Sequence, residues 1–190
     1  APIAEYPEIQ FSLKMRLGWE NASECMVLVE LLNALRLSRI ALHARTGKQQ
    51  YKGHPDLEAF QGFYELCQHP LYYNGDIESL SDIRQILTRF PLLKGVFIGR
   101  GLLSSPLLAK EFKGNETFLP EQRMSIYFAF HEELFSAYSQ VLQGETQLLV
   151  KMKTLWEYFL PETDRKLLKR IKKSTRLQQY TESVKAIFTS

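Results

Sequence analysis

This sequence of 190 residues has few cysteines, no long apolar run and little net charge, and each of these features excludes a class of protein or of inference. The two cysteines, Cys25 and Cys67, are too few for a disulfide framework, so we expect a reducing cytoplasm. No apolar run approaches the roughly 18 residues that span a bilayer, and no charged-then-apolar signal sequence is recognisable at the start. The net charge of +3 is too small to indicate a partner by itself.

Strand-like and helix-like segments alternate through the first half of the sequence. Residues 9–15 alternate apolar and polar side chains at the period of a strand, whereas residues 22–37 repeat apolar side chains at helical spacing. Strand-then-helix units in a row indicate α/β architecture with parallel strands, and their spacing suits half of a (β/α)8 TIM barrel. The predicted strands are 9–15, 39–43, 71–73 and 95–98, and the predicted helices are 22–37, 55–67, 79–90 and 106–112.

The pattern changes after Asn115, beyond which every predicted element is a helix. Apolar residues from Met124 to Leu142 follow one face of a long helix, and shorter amphipathic segments come after it. The sequence therefore predicts the C-terminal half of a TIM barrel over residues 1–114 and an all-helical domain over residues 115–190.

Polar side chains stand where each predicted strand ends, which is where barrels of this kind place their active sites. Lys14 and Arg16 close the first strand, and His43 and Arg45 close the second. A lysine inside an apolar strand needs an anionic partner if it faces a barrel interior. His43 at a strand end is compatible either with a site residue or with a hydrogen-bonded core histidine.

Two glycine-containing loops follow the third and fourth strands, Asn74-Gly75-Asp76 and Gly99-Arg100-Gly101. Barrels often bind a phosphate with the loops after their last two strands and a short helix. Glycine lets backbone N–H groups approach the anion, and Arg100 can donate charge-assisted hydrogen bonds to it. Each loop alone is a common turn, but together they favour a phosphate-bearing cofactor.

Several segments of the sequence resemble those of tRNA-dihydrouridine synthases. Lys14-Met15-Arg16-Leu17-Gly18 resembles the K-x-R-x-G segment of that family, and Leu42-His43-Ala44-Arg45-Thr46 followed by Tyr51-Lys52-Gly53 resembles its H-A-R-T…Y-x-G stretch. The two glycine loops resemble the family's phosphate-side loops, and the remainder resembles its helical domain. The sequence is therefore similar to the C-terminal part of such an enzyme.

By this resemblance the cofactor is FMN, NADPH re-reduces the flavin, and the reaction converts uridine to 5,6-dihydrouridine in tRNA. Lys14 would contact the isoalloxazine, and His43 would lie near the ring or the phosphate end. No metal is expected. The ribityl chain and phosphate would be held by Asn74, Gly75, Asp76, Gly99 and Arg100.

The sequence also departs from the family's pattern. The family's proton donor is a cysteine in an N-x-G-C-P loop, and no such motif is present. Cys25 and Cys67 fall in or beside predicted outer helices, so we expect no catalytic residue in this chain. The first residue is Ala1, which indicates either a chain cut from something larger or an initiator methionine removed by processing. Since barrel strands 1 to 4 and the cysteine loop are not recognisable, we expect the N-terminal half of the barrel to belong to a longer parent protein. The fragment alone is expected to be inactive, and its open barrel edges favour self-association or pairing with the other half.

The C-terminal segment, residues 161–190, holds eight basic and three acidic residues, so its net charge of +5 exceeds that of the whole chain. Few acidic side chains stand at i,i+4 from the basic ones, which favours contact with an RNA backbone over internal pairing. A solvated helix face is the alternative interpretation. The residues predicted to contact tRNA are Arg16, Arg45, Lys151, Lys153, Lys169, Arg170, Lys172 and Lys173.

Two other functions remain open. The chain could belong to an FMN-dependent barrel enzyme that acts on a small molecule, because phosphate loops of this kind are widespread. It could also be a non-catalytic RNA-binding module in which the half barrel is a scaffold. Binding of tRNA would argue against the first alternative, and a parent protein with the cysteine loop would argue against the second.

Overall fold

The computed structural model describes Tyr6 and residues 8–189, and the chain divides between Gly99 and Arg100 into two compact units. The first unit is an α/β structure and the second contains helices only in its described residues. Leu107, which precedes the boundary predicted after residue 114, packs in the core of the helical unit.

In the first unit, parallel strands form one sheet in the order β1-β2-β3-β4, so each strand pairs with the next along the chain. Parallel neighbours require a crossover, and one helix lies between each pair of strands. This confirms the predicted fold class, a four-stranded parallel sheet consistent with part of a TIM barrel. The elements are β1 (Phe11–Gly18), α1 (Glu24–Asn33), β2 (Leu37–Thr46), α2 (Leu57–Leu66), β3 (Leu71–Asn74), α3 (Leu80–Arg89) and β4 (Gly95–Phe97).

The second strand is longer than its sequence predicted. It begins at Leu37, which pairs with Phe11, and it continues to Thr46, which pairs with Gly18. The first helix correspondingly ends at Asn33 and not at residue 37. Pairing with β1 extends β2 at both ends. The spacing of apolar residues within β2 does not predict this extension, because the pairing depends on a different segment.

Helix starts in this unit follow capping chemistry with one exception. Asp56 and Ser79 accept hydrogen bonds at the starts of α2 and α3, and Asp82 completes a capping box in α3. At α1 the side chain of Ser23 forms no such bond. The carboxylate of Glu24 instead accepts hydrogen bonds from three backbone N–H groups before the helix, and these bonds lower its pKa.

The helices cover one face of this sheet. Leu42 and Tyr73 are paired on β2 and β3, and both are buried on the helix side. The ring of Phe60 on α2 packs edge-on against Tyr73 and against Phe90, with 5.0 Å between ring centres in both pairs. Burial of these apolar side chains therefore determines which face of the sheet packs against the helices, and the alternate residues of each strand point to the opposite face.

The second unit is built around a single apolar core. Its buried members include Trp156, Phe159 and Ile171, and half-buried aromatic and aliphatic side chains pack against this cluster. Asn115, the C-cap of the second short helix, has a left-handed backbone with φ of 49°. The helices are α4 (Arg100–Ser104), α5 (Leu108–Gly114), α6 (Pro120–Val141), α7 (Gly144–Leu155), α8 (Arg165–Lys173) and α9 (Leu177–Phe188).

A polar cluster lies inside this core. The Nε1–H of Trp156 donates to the hydroxyl of Tyr180 over 2.9 Å, and that hydroxyl lies 2.6 Å from Nε2 of His131. Since the hydroxyl accepts from Trp156, its own hydrogen is directed at His131. The imidazole proton then sits on Nδ1, which is 3.1 Å from a carboxylate oxygen of Glu132. Burial lowers the pKa of His131, in keeping with a neutral ring.

Candidate functional site

Strands β1 to β3 carry polar side chains on the face turned away from the helices. Arg16 pairs with His43, and His43 pairs with Asn74, so these three residues share one face of the sheet. Lys14 lies two residues before Arg16 and therefore points to the same side. The structure thus brings four residues that the sequence predicted as site residues onto one continuous surface.

The ammonium of Lys14 forms no ion pair with any carboxylate among the residues that the structure describes. Its side chain is exposed although it stands in the middle of a strand. A positive charge held at this position can bind an anionic group that comes from outside the unit.

His43 is only 7% exposed, and its pKa is lowered to about 4. Burial is the largest cause, followed by the positive charges of Arg16, Lys14 and Arg45. The imidazole is therefore neutral at pH 7, where it can donate one hydrogen bond and accept another.

Arg16 organises the loop that follows β2. Its Nη1 donates to the carbonyl oxygen of Thr46 over 2.8 Å and to that of Gln50 over 3.3 Å. The guanidinium carbon lies 6.0 Å from the ring centre of Tyr51, and the ring of His43 is 6.5 Å from the same ring. Tyr51 is 62% exposed, so an aromatic face is available beside the polar strand residues.

Tyr51 was not among the predicted site residues. The sequence showed it only as part of a Y-x-G motif, and a local pattern does not show that the loop turns back toward His43. The place of Tyr51 in the Y-x-G motif was the signal that could have identified it as a site residue.

Arg45 occupies a different environment from the other basic residues of the site. It is 1% exposed, and its Nη1 donates to the carbonyl oxygen of Lys52 over 2.7 Å. Its Nη2 donates to the carbonyl oxygen of Gly53 over 2.9 Å and to the carboxylate of Asp76. This geometry favours an internal role for Arg45 over the tRNA contact expected from the sequence.

The loop after β3 is fixed from two sides. The amide nitrogen of Asn74 donates to the carbonyl oxygen of Phe97 on β4 over 2.9 Å, and Asp76 is bound by Arg45. Between them, a Cβ added to Gly75 would lie 2.0 Å from the hydroxyl oxygen of Tyr73. A larger residue at position 75 would therefore force the side chain of Tyr73 to move, so the packing of the unit itself favours glycine there.

Gly99 has no such internal requirement. A Cβ built on Gly99 would meet no atom of the described residues within 4 Å. Its backbone is open to approach from outside, as a ligand-binding loop requires. Arg100 is the first residue of α4 and is half-buried within the second unit.

In the second unit, α8 presents most of its basic side chains to solvent. Asp164 caps its start by accepting from the N–H groups of Lys166 and Leu167, and Ile171 anchors it in the core. None of its described basic residues forms an ion pair. Basic side chains dominate a groove of about 430 Å³, which is lined by Lys166, Lys169, Arg170, Lys173, Ser174, Gln179, Glu182 and Ser183.

The predicted contact residues on α7 have partners of their own. The ammonium of Lys151 lies 5.3 Å from the ring centre of Tyr138 and remains exposed. The ammonium of Lys153 donates to the carbonyl oxygen of Ser174 over 2.8 Å, at the C-terminal end of α8. Lys153 therefore supports α8, while Lys151, like Lys172, stays on the surface.

The two cysteines lie on the helix side of the first unit. Cys25 is buried on α1, where its thiol donates to the carbonyl oxygen of Ala22 over 3.2 Å, and Cys67 directly follows α2. Burial raises the pKa of both thiols. Neither belongs to the strand face that carries Lys14 and His43.

Among the residues that the structure describes, none of the helices has both the length and the apolar composition of a membrane span. The same residues include no cluster of three or more histidine, cysteine or acidic side chains that could hold a metal ion.

Comparison with known proteins gives a consistent match. A family model for dihydrouridine synthase matches residues 4–189. A probable tRNA-dihydrouridine synthase of Rhizobium leguminosarum bv. phaseoli is 36% identical over 100 residues, which are 52% of this chain and 31% of the relative. One from Aquifex aeolicus is 36% identical over 105 residues, 55% of this chain and 33% of the relative.

The tRNA-dihydrouridine(16) synthase of Escherichia coli is 28% identical over 110 residues, which are 57% of this chain and 35% of the relative. In each case the matched segment of this chain covers about a third of the relative's length.

Proposed function

Because the chain belongs to the dihydrouridine synthase family, we propose that it is part of an FMN-dependent enzyme that reduces uridine to 5,6-dihydrouridine in tRNA, with NADPH as reductant. The observation that supports this most directly is the polar strand face with Lys14, Arg16, His43 and Asn74, at the positions of the family's motifs. We also propose a cytoplasmic location, because tRNA is the proposed substrate and both cysteines are free thiols.

The residues present fit a flavin mononucleotide. Lys14 supplies an ammonium without an ion-pair partner among the described residues, and the backbone of Gly99 is open to close approach. When bound, FMN supplies the hydride for the uracil ring. The ammonium of Lys14 would stabilise negative charge on the isoalloxazine, and the uncharged ring of His43 would offer the cofactor one hydrogen-bond donor and one acceptor. The phosphate and ribityl chain would be held by Asn74, Gly75, Asp76, Gly99 and Arg100.

The tRNA would be held mainly by charge. Lys169, Arg170 and Lys173 line one side of the groove on α8, and Lys172 and Lys151 extend the positive surface. Such an array binds phosphates without reading bases, so its affinity falls steeply with salt. Glu182, which is hydrogen-bonded to Gln178, is the acidic residue in the lining and limits the positive potential there.

The first unit also has surfaces suited to further barrel elements. β1 and β4 are the outer strands of the sheet, so each has one edge that pairs with no described strand. Val27, Leu28 and Leu31 are exposed on α1, although apolar residues on an outer barrel helix normally pack on a neighbouring helix. We propose that the missing β/α units of the parent enzyme pair with β1 and cover this face of α1. In their absence, self-association through the same edges is expected.

The isolated chain should not reduce uridine. The family's cysteine loop does not occur in its sequence, and Cys25 and Cys67 lie away from the strand face. Loss of one positioned proton donor costs about 10²–10⁴ in rate. We propose that the other half of the flavin site belongs to the further barrel units of the parent enzyme.

The test is reconstitution. The chain is combined with a fragment that carries the first half of the Aquifex aeolicus relative, and FMN, NADPH and unmodified tRNA are added. Dihydrouridine, measured by mass spectrometry of digested tRNA, should form only with both fragments present. Lys14→Met should abolish product formation, and Lys94→Met, an exposed lysine between α3 and β4, should not.

Each alternative predicts a different result. Flavin reduction by NADPH without tRNA binding would favour an enzyme that acts on a small molecule. Binding of tRNA without any flavin binding would favour the RNA-binding module. Dihydrouridine formation by residues 1–190 alone would show that the catalytic acid has been placed wrongly.

A separate measurement tests the RNA surface. Charge reversal of Lys169, Arg170, Lys172 and Lys173 to glutamate should flatten the slope of log affinity against log salt by about one per lost phosphate contact. Reversal of the exposed Arg84 together with Lys94 in the first unit is the control and should leave the slope unchanged. Equal slopes for the α8 variant and the unmutated chain would show that α8 does not contact RNA.

A further inference from the structure

Arg45 differs from the other predicted substrate contacts because its side chain is buried and its guanidinium is bound by three groups of the protein. Its guanidinium is bound by two carbonyl oxygens from the loop after β2, those of Lys52 and Gly53, and by the carboxylate of Asp76 from the loop after β3. A buried guanidinium requires partners of this kind, because an unpaired buried charge is strongly destabilising. Its Nε–H is buried and has no acceptor among the described residues, so the Nη atoms make all of these bonds.

The two loops joined in this way are the ones that carry the candidate site. The loop after β2 holds Tyr51, and the loop after β3 holds Gly75 and Asp76. At its start the second loop is tied to β4 through the side chain of Asn74. Arg45 supplies the tie at its other end.

From this geometry we infer that Arg45 is a positioning residue that locks the loop after β3 into its binding conformation and couples it to the loop after β2. Its planar fork reaches acceptors on both loops at once, which a lysine ammonium cannot reproduce. The loop coupling stands on the structure alone. Its consequence for FMN binding rests on the proposed function.

The coupling is measurable in the 190-residue chain without any ligand, by hydrogen exchange at two amides. The N–H of Lys52 donates to the carbonyl oxygen of Gln49, and the N–H of Ile77 donates to that of Gly75, each over 2.9 Å. Exchange at such amides reports local opening of each loop. Arg45→Ala should accelerate exchange at both amides by about tenfold or more, and Arg45→Lys should restore at most part of the protection.

Asp76→Asn shows whether the two loops are coupled through this pair. It should accelerate exchange at Ile77, and the double variant with Arg45→Ala should be no faster there than Arg45→Ala alone. Arg89→Ala is the matched control, because Arg89 donates to Glu58 over 2.5 Å on the outer helices of the same unit. This variant should leave exchange at both amides unchanged. Amide exchange in α8 should be the same in all variants.

Binding experiments on the reconstituted enzyme test the consequence for function. Arg45→Ala should weaken FMN about tenfold while leaving the salt dependence of tRNA binding unchanged. Faster loop exchange with unaltered FMN affinity would overturn the role in cofactor binding. Unchanged exchange at both amides, or a smaller salt slope for tRNA, would overturn the inference as a whole and restore an RNA contact. If no protein binds flavin, the proposed function fails, and the exchange data still decide the role of Arg45.

Discussion

The hydroxyl of Tyr180 should be the most important single polar atom for the stability of the helical unit. Tyr180→Phe removes the acceptor for Trp156 Nε1–H and the donor to His131 Nε2 while keeping the ring in place. Both remaining groups are 2% exposed or less, so water cannot replace the lost bonds. Leaving a buried polar group unpaired costs about 1–3 kcal/mol. Two such groups predict a loss of about 2–6 kcal/mol.

This loss is large beside the roughly 5–15 kcal/mol that stabilise a typical domain. Urea unfolding followed by tryptophan fluorescence measures it directly. A Trp19→Phe background leaves Trp156 as the reporter, and Trp19 is 66% exposed on the first unit. Tyr158→Phe is the control, because Tyr158 is exposed in the same unit, and it should change the free energy of unfolding by less than about 0.5 kcal/mol. If Tyr180→Phe changes it as little, the cluster does not hold the core together.

Three further predictions concern the first unit and the response to pH. Gly75→Ala should destabilise the first unit by about 1–3 kcal/mol, since its Cβ would overlap the Tyr73 ring, whereas Gly99→Ala should leave thermal unfolding unchanged. In the reconstituted enzyme, however, Gly99→Ala should weaken FMN, and equal flavin affinity would exclude a close approach at Gly99. The free energy of unfolding should fall as pH drops from 6.5 towards 4, because the pKa of His43 is about 4 in the folded chain and the unfolded chain takes up the proton first. The fall is at most about 1.4 kcal/mol per pH unit for each histidine, and His43→Gln should flatten it in the first unit above pH 5.

Much of the fold was predictable because the spacing of apolar residues along the sequence differs between strands and helices. Alternation at period two and apolar spacing at helical period placed every strand and most helices, and the strand-helix order predicted the parallel sheet. The ends of elements were less predictable. β2 extends to Thr46 because β1 lies beside it, and α1 stops at Asn33 because the chain must enter β2 at Leu37.

The candidate site shows the same division. The sequence predicted that Lys14, His43 and Asn74 gather where parallel strands end. Only the register of the strands shows that they share one face of the sheet. The partner of Arg45 could not be predicted, because Asp76 is distant in sequence and only the register of β2 against β3 brings it close. Lys153 is a similar case, since its bond to Ser174 depends on how α7 packs beside the end of α8.

The sequence by itself determined the family, the α/β-then-helical order and the residue types that can hold an anion, because motifs and periods are properties of neighbouring residues. Only the tertiary structure decided which of the basic residues are available to a ligand. Lys14 and the α8 lysines remain exposed, whereas Arg45 is enclosed by two loops. The physical reason is burial: a cation that loses water must gain fixed partners, and packing alone determines which cations lose it.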